Sequence, residues 1–172
     1  MLRTTQLDRS DLSVFERAAE PGEWAVPGSF AFTEEDPEQM VRKRRLAFGT
    51  GWLGLNSFGF STFVEIVEID DLAFERAVQA LAEHFVDAYG APSAEIAFPV
   101  AREELEYAES LADQKIHTLM ALNRELEDGA IREQFRIIDP TRATDHAKNL
   151  GHCAGGITQA AHSLTHSIPR LR

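Results

Sequence analysis

A chain of 172 residues, 44% of them apolar, has enough material for one domain with a real core. Its formal charge of −11 works against generic attachment to nucleic acid or to an anionic membrane. No apolar run approaches a membrane span and MLRTTQLDRSD lacks the apolar core of a signal peptide, while the single cysteine, Cys153, excludes an internal disulfide and fits a reducing compartment, so a cytoplasmic protein is expected.

In chain order, Leu2–Leu7 reads as a short strand ending at the turn-like Asp8-Arg9-Ser10-Asp11. Leu12–Ala18 reads as a second strand, closed by Glu20-Pro21-Gly22-Glu23, where proline fixes φ for a turn. Trp24–Phe32 puts Trp24, Val26, Phe30 and Phe32 at even spacing, which is strand period. Pro27 removes a backbone donor there and Gly28 weakens the strand, so an edge position or a bulge is expected. Asp36-Pro37-Glu38-Gln39 supplies an N-cap, a first-turn proline and a capping-box partner, predicting a helix to Phe48 with Gly49 as its stop. Arg42-Lys43-Arg44-Arg45 then falls in the last half of that helix. Cations complement the dipole there, and a four-residue run is a weak signal for an anion site.

Gly49-Thr50-Gly51-Trp52-Leu53-Gly54 matches G-x-G-x-x-G as a string. A dinucleotide site needs a strand before it and a helix after it, and the order here is reversed. The segment reads instead as a helix stop and a turn into a central strand over Phe60–Ile69. Trp52, Phe58, Phe60 and Phe63 could line an apolar pocket, although aromatics beside a strand are more often core. Asp70 and Asp71 cap the clearest helix, which runs to Tyr89 and stops at Gly90 with Pro92 beyond. Its stripe of Phe74, Ala77, Val78, Leu81, Phe85 and Ala88 is expected to pack on the hairpin described below. His84, at the edge of that stripe, reads as a partly exposed surface histidine. Pro99 opens a further helix, Val100–Ala112, with Leu105, Ala108, Leu111 and Ala112 as its apolar side. Glu103, Glu104, Glu106 and Glu109 on it read as a solvated face, since a catalytic carboxylate pair needs a buried setting.

The best-determined segment is Lys115–Ile138, which reads as one β-hairpin. Asp128-Gly129 suits a type I′ turn, whose two central residues need positive φ. Glu127 then faces Ala130, Leu126 faces Ile131, Glu125 faces Arg132 and Arg124 faces Glu133. Asn123/Gln134, Leu122/Phe135, Met120/Ile137 and Leu119/Ile138 follow outward. A one-residue slip would send every side chain to the wrong face. Ile116, Met120, Leu122, Leu126, Ile131, Phe135 and Ile137 share one face, assigned to the core.

The composition changes at Pro140. Beyond it stand one acid, Asp145, and four bases, Arg142, Lys148, Arg170 and Arg172, with four of the six histidines and the only cysteine. His162 and His166, four apart, would share a helix face. With His152 or Cys153 they could bind a zinc-like ion. The adjacent His152-Cys153 is a less usual ligand spacing, and no Asp or Glu stands beside the pair to orient it. There is no G-x-S-x-G, P-loop or H-E-x-x-H, and Cys153 has no evident pocket to activate it, so no catalytic residue is named.

VFERAAEPGEWAVPGSFAF, FGTGWLGLNSFGFSTFVEIVE and EDGAIREQFRI resemble a small proteobacterial family of uncharacterised function, over residues 2–138 and not the tail. The resemblance implies an α+β domain and supplies no catalytic residues. The expectation is therefore an α+β domain over residues 1–139, followed by a histidine-containing C-terminal tail over 140–172. It should hold an antiparallel sheet of about six strands and three helices mainly on one face, in the order β-β-β-α-β-α-α-β-β. The expected role is a non-enzymatic accessory or binding protein, self-associating or bound to a protein partner, with no nucleic acid, membrane or cofactor. The alternative is a small metalloprotein with a zinc-like ion on His152, Cys153, His162 and His166.

Overall fold

The computed structural model describes residues 1–138. The chain runs β1 (Leu2–Thr5), α1 (Asp11–Val14), β2 (Trp24–Val26), a 3-10 turn (Ser29–Phe32), α2 (Arg42–Thr50), β3 (Trp52–Gly54), β4 (Phe60–Ser61), β5 (Phe63–Ile66), α3 (Asp71–Tyr89), α4 (Ala94–Ser110), β6 (Leu119–Glu127) and β7 (Ala130–Ile138). The strands form one sheet, in the order β4-β3-β2-β1-β5-β6-β7, and every strand pair is antiparallel. The α+β class and the antiparallel sheet are as expected, with seven strands instead of six.

The hairpin's register is borne out pair by pair, but β6 begins at Leu119 and residues 115–118 form a turn in which His117 has φ 68°. All the expected pairs form, from Glu127↔Ala130 to Leu119↔Ile138. Asp128 and Gly129 both have positive φ, 53° and 78°, as the turn requires. The core assignment holds for its middle only. Met120, Leu122 and Phe135 are buried and Ile131 is half-buried, whereas Ile116, Leu126 and Ile137 are exposed. The face of the strands is as expected, but the helices cover only part of its length, and Ile116 falls in the turn before β6.

At the other end the sheet curls on itself. β4 pairs with β3 at one margin, yet β5, beginning two residues after Ser61, pairs with β1. Two residues span about 7 Å, so the margin has to come back beside β5. The one strand expected over Phe60–Ile69 is therefore two, bent at Thr62. Buried Asp11 holds the bend: Thr62 donates to it from its backbone N–H (3.1 Å) and its hydroxyl (2.6 Å), and Ser61 from its hydroxyl (3.3 Å). Asp11 has this duty because the expected strand over Leu12–Ala18 is instead the single turn α1 and an irregular segment. The Ala18 end of that segment bridges Phe60 and covers the β4 edge.

Pro27 ends β2 outright, where an edge strand or bulge was expected. β2 lies between β1 and β3, Gly28 takes φ +75°, and the chain turns into the 3-10 segment. Phe30 packs edge-on against Phe85 of α3 at 4.9 Å. Glu23, just before β2, accepts from the backbone N–H groups of Glu20 (2.6 Å), Asn56 (2.9 Å) and Ser57 (2.8 Å). Burial disfavours its charge, yet these donors outweigh burial and hold its carboxyl below the usual range. A Cβ on Gly54 would come within 2.6 Å of that carboxylate, so the glycine is a steric requirement.

Two helix starts differ from expectation. Asp36-Pro37 makes an isolated turn, and α2 begins at Arg42 and is capped at Gly51, not Gly49. Arg42-Lys43-Arg44-Arg45 is thus its first turn, so the dipole argument for these cations fails. Arg44 is instead tied to Glu35 and to the Ala31 carbonyl and lies over the Phe32 ring at 4.3 Å. α4 begins at Ser93, whose hydroxyl caps Ile96, six residues before the expected opening at Pro99. The buried stripe Ala97, Ala101, Leu105 and Ala108 runs past Pro99, whose ring faces solvent, where a broken backbone bond can be hydrated. α3 is as expected, from the Asp70 cap to Gly90 at φ +72°, but packs chiefly on α4, leaving the hairpin's inner face to α2 and Tyr107.

Phe135 lies in the covered middle of the hairpin, 5.5 Å from the Trp52 ring. Phe135→Ala should cost about 3–5 kcal/mol, and Arg42→Ala on the surface should stay within about 0.5 kcal/mol. Urea midpoints measure both, and equal midpoints would mean the core is elsewhere.

Candidate functional site

Polar side chains from β6, β7, α4 and the 3-10 turn converge under the covered half of the hairpin. β6 alternates Met120, Leu122, Arg124 and Leu126 onto the inner face, which carries Arg124 into the core. Its side chain is fully buried. Nε donates to Glu133 Oε1 (2.8 Å) and to the Ser29 hydroxyl (3.3 Å). Nη1 donates to the carbonyls of Phe48 (3.0 Å) and Gly51 (2.9 Å), and Nη2 to the carbonyl of Pro27. These carbonyls lie where β2 stops and where α2 gives way to β3. The helix-end carbonyls that lack intrahelical donors thus receive a cation, from a strand and not from the helix's own sequence.

Glu133, opposite Arg124 on β7, is the counter-charge. It accepts from Arg124 and from the Ser29 hydroxyl on Oε1, and from the Tyr107 hydroxyl on Oε2 at 3.2 Å. Burial lowers the pKa of Arg124, while Glu133, Glu104 and Tyr107 raise it again; guanidinium stays cationic in proteins. Burial raises the pKa of the Tyr107 phenol, and Glu133 raises it further, so the phenol is a donor throughout the accessible pH range.

Glu104 stands one turn before Tyr107 on α4 and is only 4% exposed. Burial first, and the nearby Glu133 second, push its carboxyl up to about 7, with Arg124 pulling the other way. The glutamates of this helix were expected to be solvated as a group. Glu103, Glu106 and Glu109 are, but Glu104 belongs to the buried stripe with Ala101, Leu105 and Ala108. The signal was legible: a carboxylate at core spacing on a helix, and an Arg/Glu pair whose parity put it on the hairpin's apolar face. Chemically, the cluster can hold a proton at Glu104 and donate hydrogen bonds from Tyr107 and Ser29.

Other candidates fall elsewhere. His84 is half-buried, stacked flat on Phe58 with centroids 3.6 Å apart, and burial lowers its pKa. Trp52 and Phe60 are core. A cavity of about 600 Å³ opens at the start of α4, lined by Gln79, Ser93, Ala94, Glu95 and Phe98, away from the Arg124 cluster. No group of three or more His, Cys, Asp or Glu is placed to hold a metal among the described residues. His152, Cys153, His162 and His166 lie outside the described residues.

A family profile described as a family of unknown function (DUF6505) matches residues 1–151. The chain belongs to this family. A family of uncharacterised function is as expected, and the match runs to residue 151, past residue 138 where the resemblance was expected to stop. No curated protein and no solved structure matches the chain. The family therefore brings no assigned activity to the Arg124 cluster, whose role rests on its own geometry.

Removing Arg124 strands a buried carboxylate and withdraws a donor from three carbonyls. Arg124→Met should cost at least about 3 kcal/mol, the cost of breaking a buried pair. Glu133→Gln, which keeps an acceptor for Arg124 and Ser29, should cost clearly less. Chemical denaturation of both variants at one pH orders them. The reverse order would mean that the ion pair, not the carbonyl capping, holds this region.

Proposed function

We propose that the protein is a non-enzymatic accessory or binding protein that works in the cytoplasm as a homo-oligomer. The observation that carries the reading is that both ends of the hairpin's inner face are uncovered, Leu126 beside the turn and Ile137 at the open end. Leu126 is 46% exposed and Ile137 48%, on the face whose middle is core, with half-buried Ile131 opposite Leu126 on β7. β7 is also the sheet's nine-residue margin, with no strand on its outer side among the described residues. A long margin with apolar side chains is a template for pairing with another chain. Arg124 and Glu133 are committed to holding the fold, which leaves surface recognition as the better-supported role. The charge of −11 argues against nucleic acid as the partner.

No helix among the described residues is long and apolar enough to cross a membrane. The alternative reading, a zinc-like ion on His152, Cys153, His162 and His166, rests on the crowding of histidines and the cysteine after Pro140. Zinc titration of the full chain at neutral pH tests it, and no stoichiometric uptake would end it.

For self-association, sedimentation of the full chain over a range of concentrations should show a dimer or larger species. Ile137→Glu, which puts a charge at the exposed open end of the β7 margin, should shift it to monomer. A wild-type chain that is monomeric throughout contradicts the proposal. So does an Ile137→Glu variant that assembles as the wild type does.

A further inference from the structure

We propose that residues 157–168 of the same chain dock as an amphipathic helix on the outer face of the sheet, over an apolar patch shared by β5, β6 and β7. The sheet supplies half of the argument. Val64, Ile66, Met120, Leu122 and Phe135 point inward and are buried. The residues between them point the other way, because side chains alternate along a strand. The register sets Phe63 beside Ala121 and Leu119 beside Ile138, with Leu119 and Ala121 two apart on β6. These four are only partly buried, and none is among the core residues or those packed against them. α2 and α4 meet the hairpin on its inner side, through Arg124, Tyr107 and Phe135. Four apolar side chains thus stand together on the face turned away from those helices.

The chain supplies the other half. The described residues end at Ile138, inside that patch, so the segment that follows starts at the face it would cover. Ile157, Ala160, Ala161, Leu164 and Ile168 recur at the spacing of one helix face. His162 and His166 fall on the opposite side, so the docking does not draw on the histidines. A helix over 157–168 is about 18 Å long, and β7 lies about 10 Å from β5 across β6, so the stripe is long enough for the patch. Residues 139–156, with Gly151, Gly155 and Gly156 among them, can extend over about 60 Å, more than the path requires. Past Asp145 the segment carries Lys148, Arg170 and Arg172 and no acid, whereas the acid excess of the chain lies before it. Opposite charge draws it to such a domain, and the tether favours its own copy over another's. Leu126 and Ile137 lie on the inner face, so self-association through them neither requires nor forbids this docking.

Cys153 is the only cysteine, so a nitroxide on it reports this segment alone in the full-length chain. By NMR it should broaden the methyl signals of Leu119, Ala121 and Ile138 more than those of exposed Leu72 on α3 and Ile96 on α4. Leu164→Glu should abolish that difference, and Ser163→Glu, off the apolar stripe, should keep it. Equal broadening of the two sets, or none, overturns the proposal. So does a Ser163→Glu variant as disruptive as Leu164→Glu. Nitroxide-bearing chains mixed with isotope-labelled chains that lack the nitroxide should not reproduce the pattern; if they do, the segment belongs on a second copy and docking on its own domain is overturned. If Leu164→Glu does not fold, the wild-type pattern and the mixing experiment decide.

Discussion

Everything in the middle of this domain depends on one guanidinium that has left water. Burying a cation costs several kcal/mol unless geometry and hydrogen bonds compensate. Arg124 is compensated by a carboxylate, a hydroxyl and three backbone carbonyls. Those carbonyls belong to three places where regular structure stops: after β2 at Pro27, within the last turn of α2 at Phe48, and at Gly51 before β3. The hairpin is local and could form early. Through Arg124 it also becomes the fixture that terminates the elements on the other side of the core. That explains why α2 ends where it does without a glycine cap at Gly49 or a cation of its own in the last turn.

The hairpin was legible in the sequence because two independent signals agreed. Asp128-Gly129 chose the turn, and the apolar and charged pairs chose the same register. α3 was legible for a similar reason, with Asp70 and Gly90 bracketing one clean stripe. The curl of the sheet was not legible. Phe60–Ile69 has the composition of one strand, and its bend at Thr62 is fixed by Asp11, far away in sequence. Leu12–Ala18 has strand composition too, yet it is drawn into a one-turn helix and a loop that bridges β4. In each case a long-range contact overrode local propensity.

The candidate site was half legible. The register set Arg124 opposite Glu133, and the strand period put both on the apolar face; reading charged residues as surface by default hid the consequence. Glu104 was hidden by its neighbours. Three of the four glutamates considered together are solvated, and only their positions on the helical stripe separate Glu104 from them. Arg42-Lys43-Arg44-Arg45 shows the opposite error. The capping signal at Asp36-Pro37 closes only an isolated turn, so the cations stand in the first turn of α2 and not in its last. Capping motifs report a local turn with a side-chain acceptor, and a helix follows only if the residues after it can bury a stripe. The same distinction explains α4, which starts at the Ser93 cap and carries its stripe past Pro99.

The central claim, that a desolvated Arg124 fastens the breaks in the chain, can be read directly from its own protons. The Nε–H of Arg124 should give a ¹⁵N–¹H signal that exchanges with water far more slowly than those of exposed arginines such as Arg42 and Arg45. Exchange at the rate of those surface arginines would contradict the account, since it would place the guanidinium in contact with water and leave the carbonyls of Pro27, Phe48 and Gly51 to other donors.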